Sequence, residues 1–296
     1  MFFKKFNAQV EGIFKIIRRI FHLGYGFSYI QILILVILNF VPIDWEPSNS
    51  FFRIRIKHNG KLICLYYRLS SSDAEIFWEI FVMNTYNLLG FLKDAKLVVD
   101  LGANIGFASA YFSACYPDAK IIAVEPLPEN LKLLRKTAGN LMNHVTIIPG
   151  AIQNKPGKII FYWSKWWASG TTIEQIARKR QGDKRRAEHR TAQAPCFVEA
   201  VTMSEILALN DTEYIDILKM DIEGAEAGLI KGSSEWLQKV RILIGEIHDK
   251  YINGKTVRKQ LKKAGLVPII QKRGRTEIFI NKKLIKTKGN SDGCRW

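Results

Sequence analysis

The sequence predicts an α/β protein with a doubly wound, mostly parallel seven-stranded sheet, and three observations lead to this fold class. After Gly90, short apolar runs with strand character alternate with segments of helical spacing, which is typical of a parallel sheet covered by helices. A glycine-rich turn directly follows the first of these strands. The last two strands are separated by only a short Arg-Gly-Arg turn, which predicts an antiparallel pair with an antiparallel edge strand.

Residues 1–50 form a basic segment that contains an apolar stretch. No Asp, Glu, Lys or Arg occurs between Arg19 and Asp44. Residues 20–43 could span a membrane, lie at its surface as a peripheral contact, or pack on the domain. The two non-spanning alternatives are favoured, because the preceding basic residues would orient a spanning helix with the rest of the chain outside the cytoplasm.

Residues 51–90 predict a β-hairpin followed by a helix. Alternating runs on both sides of Asn59-Gly60 indicate two strands joined by a tight turn. Ser70–Asp73 offers capping residues for a helix from Ala74 to Leu89.

The main domain is expected over residues 91–285, followed by a basic tail at 286–296. Its predicted strands are Leu97–Leu101, Ile121–Val124, Val145–Ile148, Ile215–Met220, Ile242–Glu246, Val267–Gln271 and Glu277–Ile280. Its predicted helices are Ala108–Cys115, Pro128–Asn140, Ala225–Leu237 and Thr256–Ala264. Residues 158–199 interrupt the alternation with an extended apolar run and a basic stretch, which is typical of a lid or binding loop.

The net charge of +17 favours an anionic partner, with a solvated basic surface as the alternative. A nucleic-acid partner is not favoured, because no aromatic residues interleave with the basic runs. The four cysteines form no CxxC pair, which indicates a reducing compartment. We therefore expect a cytoplasmic protein, with the inner face of a membrane as one alternative location.

The turn after the first strand has the pattern Asp100-x-Gly102-x-Asn104-x-Gly106. Gly102 allows a tight turn and the close approach of a ligand, and the following helix offers unpaired N–H groups. An acidic residue here would repel a pyrophosphate but suits the cationic amino end of a cofactor that carries an amino acid. These four residues are the candidate cofactor-binding turn.

Acidic residues also end later strands, on the side of an open α/β sheet where ligands bind. Glu125 ends the second strand and can accept hydrogen bonds from both hydroxyls of a ribose. Asp221 and Glu223 follow the fourth strand and are candidates for acceptor contact, and His248 follows the fifth. His248 or Asp221 is the candidate general base. No metal is predicted, because carboxylates clustered at one turn lack a clear octahedral set.

Together these motifs resemble the FkbM family of S-adenosylmethionine-dependent methyltransferases. The matching segments are Val99–Gly106, Val124–Pro126, Leu218–Glu226 and Gly245–His248. The resemblance covers roughly residues 50–282. It implies a Rossmann-like class I methyltransferase fold with S-adenosylmethionine as cofactor.

Carried over by position, the resemblance implies that Asp100, Gly102, Asn104 and Gly106 hold the methionine part of the cofactor and that Glu125 holds its ribose. Asp221 and Glu223 would then face the acceptor. The implied reaction is methylation of an oxygen, commonly a hydroxyl of a sugar, polyketide or lipid-linked molecule, and the basic charge favours an anionic or membrane-borne acceptor. Methylation of nitrogen stays open.

Two other functions are weighed against methyl transfer. An NAD-type oxidoreductase would have the same type of fold, but Asn104 stands where its fingerprint has a glycine. A non-catalytic adaptor could bind membranes or glycans through the basic surface while keeping the fold.

Overall fold

The computed structural model describes residue 32 and residues 51–285, with gaps at 69–70, 89–90, 142–143, 165–168, 173–194, 232–233 and 270–274. The apolar segment predicted at 20–43 lies outside the described residues apart from Ile32. Most of the basic stretch in the insertion and the tail at 286–296 also lie outside them. Within the part of the chain that is described, no helix is long and apolar enough to cross a membrane.

The predicted hairpin is formed by β1 (Phe51–His58) and β2 (Lys61–Arg68), which pair in antiparallel register. Asn59 and Gly60 both have positive φ angles, 46° and 76°, as the tight turn between such strands requires. Ile54, Ile56 and other alternate residues are buried, so one face of the hairpin packs on the main domain.

The helix predicted over Ala74–Leu89 is shorter than expected. It comprises α1 (Asp73–Phe77), continues as a π-helical turn over Trp78–Val82 and ends there. Asn84 has a φ of 55°, and a left-handed residue at this place is incompatible with further helix.

The side-chain capping predicted for α1 is partly present, because Oγ of Ser71 accepts a hydrogen bond from the backbone N–H of Asp73 at 3.2 Å. Ser72 occupies the N-cap position without a side-chain capping bond. Asp73 instead accepts hydrogen bonds from the backbone N–H and the guanidinium of Arg68, at 2.7 to 3.0 Å. This buried carboxylate ties α1 to the end of β2.

The main domain follows from residue 91. Its elements, in chain order, are β3 (Leu97–Leu101), α2 (Phe107–Cys115), β4 (Lys120–Glu125), α3 (Pro128–Ala138), β5 (Val145–Pro149), β6 (Ala151–Ile152), β7 (Gly157–Ser164), β8 (Ser169–Thr171), β9 (Cys196–Val201), α4 (Met203–Ala208), β10 (Ile215–Met220), α5 (Glu226–Ile230), α6 (Ser234–Gln238), β11 (Val240–Glu246), α7 (Gly254–Lys263), β12 (Leu266–Pro268) and β13 (Thr276–Asn281).

Seven of these strands form one sheet in the order β12-β13-β11-β10-β3-β4-β5. The neighbours among β11, β10, β3, β4 and β5 pair in parallel, and β13 pairs antiparallel with both β11 and β12. This confirms the predicted doubly wound, mostly parallel sheet with an antiparallel pair at its edge. The reversed strand, β13, is the inner member of that pair.

Helices cover both faces of the sheet. Val98 and Ile217 belong to the core that contains α2 and the hairpin. Their neighbours Val99 and Leu218 belong to the core on the other face, which contains residues of α4, α5 and α7. Successive strand residues thus point to opposite cores, and this explains why β3 and β10 are buried at every residue.

The insertion at 158–199 includes strands of a second sheet, in the order β6-β9-β7-β8. The prediction of an extended segment agrees with β7, but β9 and α4 were not predicted. Thr202 and Glu205 form a reciprocal capping box at the start of α4, and their spacing in the sequence could have revealed that helix.

Two further element predictions need correction. The helix predicted over Ala225–Leu237 is two short helices, α5 and α6, because Lys231 adopts an extended backbone that ends α5. The strand predicted over Val267–Gln271 ends at Pro268 as β12.

Candidate active site

The carboxyl ends of β3, β4 and β10 open into a cleft of about 920 Å³, including the part open to solvent. Ligands bind at this end of open α/β sheets. The predicted site residues that line the cleft are Gly102, Asn104, Glu125, Asp221 and Glu223. Asp100, Gly106 and His248 are not among its lining residues.

Gly102 lets two loops touch at the base of the cleft. Its φ is 75°, and an added Cβ would overlap the carbonyl oxygen of Asp221. The N–H groups of Gly102 and Ala103 both donate to the carbonyl oxygen of Val124, at 3.0 and 2.9 Å. A glycine is therefore required by backbone angle and by space.

Asn104 and Glu125 are joined at the adjacent side of the cleft. The backbone N–H of Asn104 donates to Oε2 of Glu125 at 2.8 Å. Oε1 of Glu125 accepts from the N–H of Leu127 and from Nδ2 of Asn130, both at 3.0 Å. Burial raises the pKa of Glu125, while these three hydrogen bonds oppose the shift. The donors explain how a buried carboxylate is held in place.

Asp100 is fully buried behind the glycine turn. Its Oδ2 accepts a hydrogen bond from the hydroxyl of Ser109 at 2.7 Å, and its Oδ1 lies 3.3 Å from Nζ of Lys219. The predicted contact between Asp100 and the methionine part of a cofactor stays a prediction. In this structure, Asp100 holds Lys219.

Lys219 was not singled out from the sequence, although it lines the cleft. Its Nζ donates to the carbonyl oxygens of Leu101 and Gly102, at 3.2 and 2.6 Å, and so fixes the glycine turn. Burial lowers the pKa of Lys219, but the charges of Asp100 and Asp221 outweigh this and raise it. A lysine within a buried apolar strand was the available sequence signal.

Gly106 has a packing role in the described structure. It is the N-cap of α2 with a φ of 90°, and an added Cβ would lie 2.8 Å from Cδ1 of Leu134 in α3. The close packing of α2 on α3 explains this glycine without a ligand.

The acidic residues after β10 stand beside the end of β11. An added Cβ on Gly245 would overlap the carbonyl oxygen of Met220, so glycine allows the two strands to approach closely there. Glu223 has a φ of 56°, a strained backbone that is common at functional sites. Asp221 and Glu223 are part-exposed, with 37% and 26% of their side chains accessible.

His248 faces these carboxylates from the end of β11. Its Nδ1 lies 2.8 Å from Oε1 of the buried Glu226. Burial lowers the pKa of His248, but the Glu226 hydrogen bond and the charges of Asp221, Glu226 and Glu223 outweigh burial and raise it to about 9. A histidine that already carries a proton at neutral pH is poorly suited to accept one, which weighs against the predicted base role of His248.

Glu246 adds a further carboxylate beside His248 at the end of β11 and was not predicted as a site residue. Its Oε1 lies 3.8 Å from Nε2 of His248 and 3.6 Å from Nη1 of Arg275. Burial and the charge of Asp221 raise the pKa of Glu246 to about 7, against the opposing effects of His248 and Arg275. Its place at the end of a central parallel strand was the signal that could have found it.

With this geometry established, the comparison with known families is decisive. The sequence profile described as the methyltransferase FkbM domain matches residues 100–266. The chain belongs to the FkbM methyltransferase family. Its methyl donor is S-adenosylmethionine, and the seven-stranded sheet is that of the Rossmann-like class I fold. The oxidoreductase and adaptor alternatives are set aside.

Several FkbM-type relatives are similar to this chain. Methyltransferase sdnD of Sordaria araneosa is 30% identical over 191 residues, which are 57% of this chain and 73% of that protein. The 2-O-methyltransferase NoeI of Sinorhizobium fredii is 26% identical, over 53% of this chain and 65% of that protein. The hexuronic acid methyltransferase AglP of Haloferax volcanii is 25% identical, over 65% of this chain and 72% of that protein.

A solved structure of methyltransferase FkbM from Methylobacillus flagellatus is also similar, with 16% identity and a TM-score of 0.40. The match covers 93% of this chain and 60% of that one.

The residues at the cleft fit S-adenosylmethionine. Oδ1 of Asn104 is buried and accepts no hydrogen bond from the described part of the chain, which suits a cofactor that brings its own donors. Glu125 lines the cleft and offers a carboxylate to ribose hydroxyls. These assignments to the cofactor stay predictions, now with a geometry that accommodates them.

Proposed function

We propose that this FkbM-family methyltransferase methylates a hydroxyl oxygen of a sugar, glycan or lipid-linked acceptor. The observation that carries the proposal is the position of Asp221 and Glu223, whose carboxylates line the same cleft as the cofactor-binding turn. Carboxylates are strong acceptors for hydroxyl groups. The names of two relatives, a 2-O-methyltransferase and a hexuronic acid methyltransferase, support a sugar acceptor.

An anionic acceptor agrees best with the charge of the chain. The net charge is +17, and a net positive charge attracts anionic substrates to the protein. Arg275 is 70% exposed and lies 3.8 Å from Glu79, one of the residues that line the cleft. Its guanidinium can pair with a carboxylate or phosphate on the acceptor.

The proposed mechanism assigns positioning and proton transfer to residues of this chain. S-adenosylmethionine supplies an electrophilic methyl group on a sulfonium. Asp221 would orient the acceptor hydroxyl toward that methyl, and Glu223 would accept the hydroxyl proton as the oxygen attacks. Holding the two reactants at near-attack distance supplies much of the rate, and a positioned base contributes about 10²- to 10⁴-fold.

The acceptor class is tested by incubating the full chain with S-adenosylmethionine and a panel of methyl glycosides, both neutral sugars and hexuronic acids. We expect an acceptor that gains one CH₂ unit in mass, and NMR should place the new methyl on oxygen. Methylation on nitrogen, or no methylation of any hydroxyl by protein that binds the cofactor, would contradict the proposal.

The role of Glu223 is tested by Glu223→Gln, with the exposed Glu75→Gln as the matched control. We expect kcat to fall at least about 100-fold in the first variant and to stay within about twofold in the second. Calorimetry should give unchanged cofactor affinity for both. Loss of less than about tenfold in Glu223→Gln would remove the assignment of this residue as the base.

A further inference from the structure

The orientation of His248 is fixed by a buried carboxylate. Nδ1 lies 2.8 Å from Oε1 of Glu226, whose side chain is fully buried, and Oε1 also accepts the backbone N–H of Gly224 at 3.1 Å. Only 9% of the His248 side chain is accessible. In metal sites, a carboxylate commonly accepts a hydrogen bond from one ring nitrogen of a histidine, so that the other nitrogen faces the metal.

The other ring nitrogen projects into a group of carboxylates. Nε2 of His248 lies 3.5 Å from Oε2 of Glu223, 3.8 Å from Oε1 of Glu246 and 3.9 Å from Oδ1 of Asp221. These distances are too long for good hydrogen bonds. Two ligands that share a cation at about 2.1 Å lie about 3.0 Å apart at a right angle and about 3.4 Å apart in a tetrahedron. A contraction of about 0.4 to 0.9 Å would therefore bring Nε2 of His248 and the oxygens of Glu246 and Asp221 to the spacing of ligands on one ion.

We propose that Asp221, Glu246 and His248 hold a divalent cation at the acceptor end of the cleft. One ligand atom from each of these residues lies within 4.8 Å of the others. Two carboxylates and one imidazole suit a cation of the Mn²⁺ or Mg²⁺ class, and the ring nitrogen strengthens binding of Mn²⁺. The carboxylates of one turn alone predict no metal, whereas these ligands come from the ends of two neighbouring strands.

The cation deepens the proposed function and rests on it for the acceptor hydroxyl. Asp221 belongs both to this cluster and to the cleft, so a bound cation is accessible to an acceptor oxygen. Coordination lowers the pKa of that hydroxyl. Its proton passes to Glu223, the oxygen forms a bond to the methyl carbon, and the carbon–sulfur bond breaks with its electron pair left on sulfur. The products are the methyl ether and S-adenosylhomocysteine.

The competing explanation is an ion cluster without a metal, in which protonated His248 itself balances the carboxylates. The two explanations differ in what the protein binds, since only a cation site takes up Mn²⁺ with an affinity that depends on these side chains. They also differ in the expected effect of changing Glu226. In a cation site, loss of the carboxylate that orients a ligating histidine weakens metal binding about 10- to 100-fold.

The test is direct Mn²⁺ titration of the full chain after treatment with a chelator, followed by electron paramagnetic resonance of free Mn²⁺. The variants are Asp221→Asn, Glu246→Gln and Glu226→Gln. Asp249→Asn is the matched control, because it removes a carboxylate one residue from His248 that pairs with Arg258 outside the cluster. Circular dichroism and calorimetry with S-adenosylmethionine establish that each variant is folded.

We expect the wild type to bind one Mn²⁺, the three cluster variants to bind it at least about tenfold more weakly, and Asp249→Asn to stay within about twofold. Absence of Mn²⁺ binding by folded wild type that binds S-adenosylmethionine, or equal binding by the cluster variants, would overturn the cation site. Chelator-resistant methylation of a hydroxyl would overturn the cation's role and leave the proposed function standing. Mn²⁺ binding without methylation of any hydroxyl would support the site and contradict the proposed function.

Discussion

The carboxylate of Glu125 is buried at the end of β4 with three protein donors around it. We predict that Glu125→Gln weakens S-adenosylmethionine binding about 10- to 100-fold, because hydrogen bonds to a charged group contribute about 1.5–3 kcal/mol. Calorimetry measures the affinity. Glu129→Gln is the matched control on the exposed first turn of α3, and an equal effect of the two substitutions would refute the role of Glu125.

The same residue predicts a pH dependence of cofactor binding. The pKa of Glu125 is raised above 4.5 by burial, so the carboxylate takes up a proton at a higher pH than an ordinary glutamate. Affinity should therefore begin to fall, as pH decreases, at a higher pH than the protonation of an ordinary glutamate would cause. The Glu125→Gln variant should lack the part of this pH dependence that comes from protonation of the carboxylate. The stability of the cofactor-free protein should depend on pH in the opposite direction. A carboxyl whose pKa is higher in the folded than in the unfolded state destabilises the fold above its unfolded pKa. Protonation as pH falls removes this destabilisation, so the contribution of Glu125 to the unfolding free energy becomes more favourable.

Substitution of Gly102 tests whether the close approach of the two loops matters for stability. Gly60 is the matched control, because it has a similar backbone angle but no close neighbour. Both have φ near 75°, but an added Cβ meets nothing within 4 Å at Gly60 and overlaps the carbonyl of Asp221 at Gly102. We predict that Gly60→Ala costs about 1 kcal/mol of unfolding free energy, and that Gly102→Ala costs about 2–5 kcal/mol and weakens cofactor binding. Urea unfolding and calorimetry measure these effects. Equal costs would show that the close approach to Asp221 has no energetic importance.

At the scale of elements, the link between β2 and α1 depends on the Arg68–Asp73 ion pair. The Asp73 side chain is fully buried, and Arg68 contacts it through two side-chain bonds and one backbone bond. We predict that Asp73→Asn lowers the unfolding free energy by about 2–4 kcal/mol, since it leaves a poorly solvated guanidinium without its counter-charge. Glu75→Gln, exposed in the same helical turn, should change it by less than about 0.5 kcal/mol. Similar values for the two variants in chemical denaturation would contradict the prediction.

The consequence of this link reaches the active site. Ile76, Glu79 and Ile80 line the cleft, and they lie on α1 and the π-helical turn that follows it. Helix α1 and the π-helical turn therefore close one side of the site. Asp73→Asn should consequently weaken cofactor binding as well, to the extent that α1 leaves its place beside the cleft.

For the whole molecule, the two sheets differ in how well they are buried. β3 and β10 are buried at every residue, whereas the second sheet rests on a small core of Leu127, Ala151, Phe161 and Val198 and leaves Phe197 76% exposed. We predict that amide hydrogens of β7 and β9 exchange at least about tenfold faster than those of β3 and β10, because the second sheet opens locally. Hydrogen exchange with mass spectrometry measures this. Equal protection of both sheets would show that they unfold as one unit.

The sequence by itself determined the order of the central strands and helices along the chain, as well as the hairpin and the glycine turn. The apolar run Ile121–Val124 indicates a strand buried on both faces, and Asn59-Gly60 specifies a tight turn, so local chemistry was sufficient there. The acidic ends of those strands followed from the same pattern, because parallel strands bring their carboxyl ends to one side of the sheet. Five of the predicted site residues accordingly line one cleft.

Only the tertiary structure decided what each polar residue contacts. Asp100 holds Lys219, and the ring of His248 is held by Glu226 and surrounded by carboxylates from two strands. These partnerships are between residues far apart in the chain or turned toward each other by a local backbone angle, such as the positive φ of Glu223. Local patterns carry no information on such distances, because burial and ion pairing arise only once strands pair in a particular register.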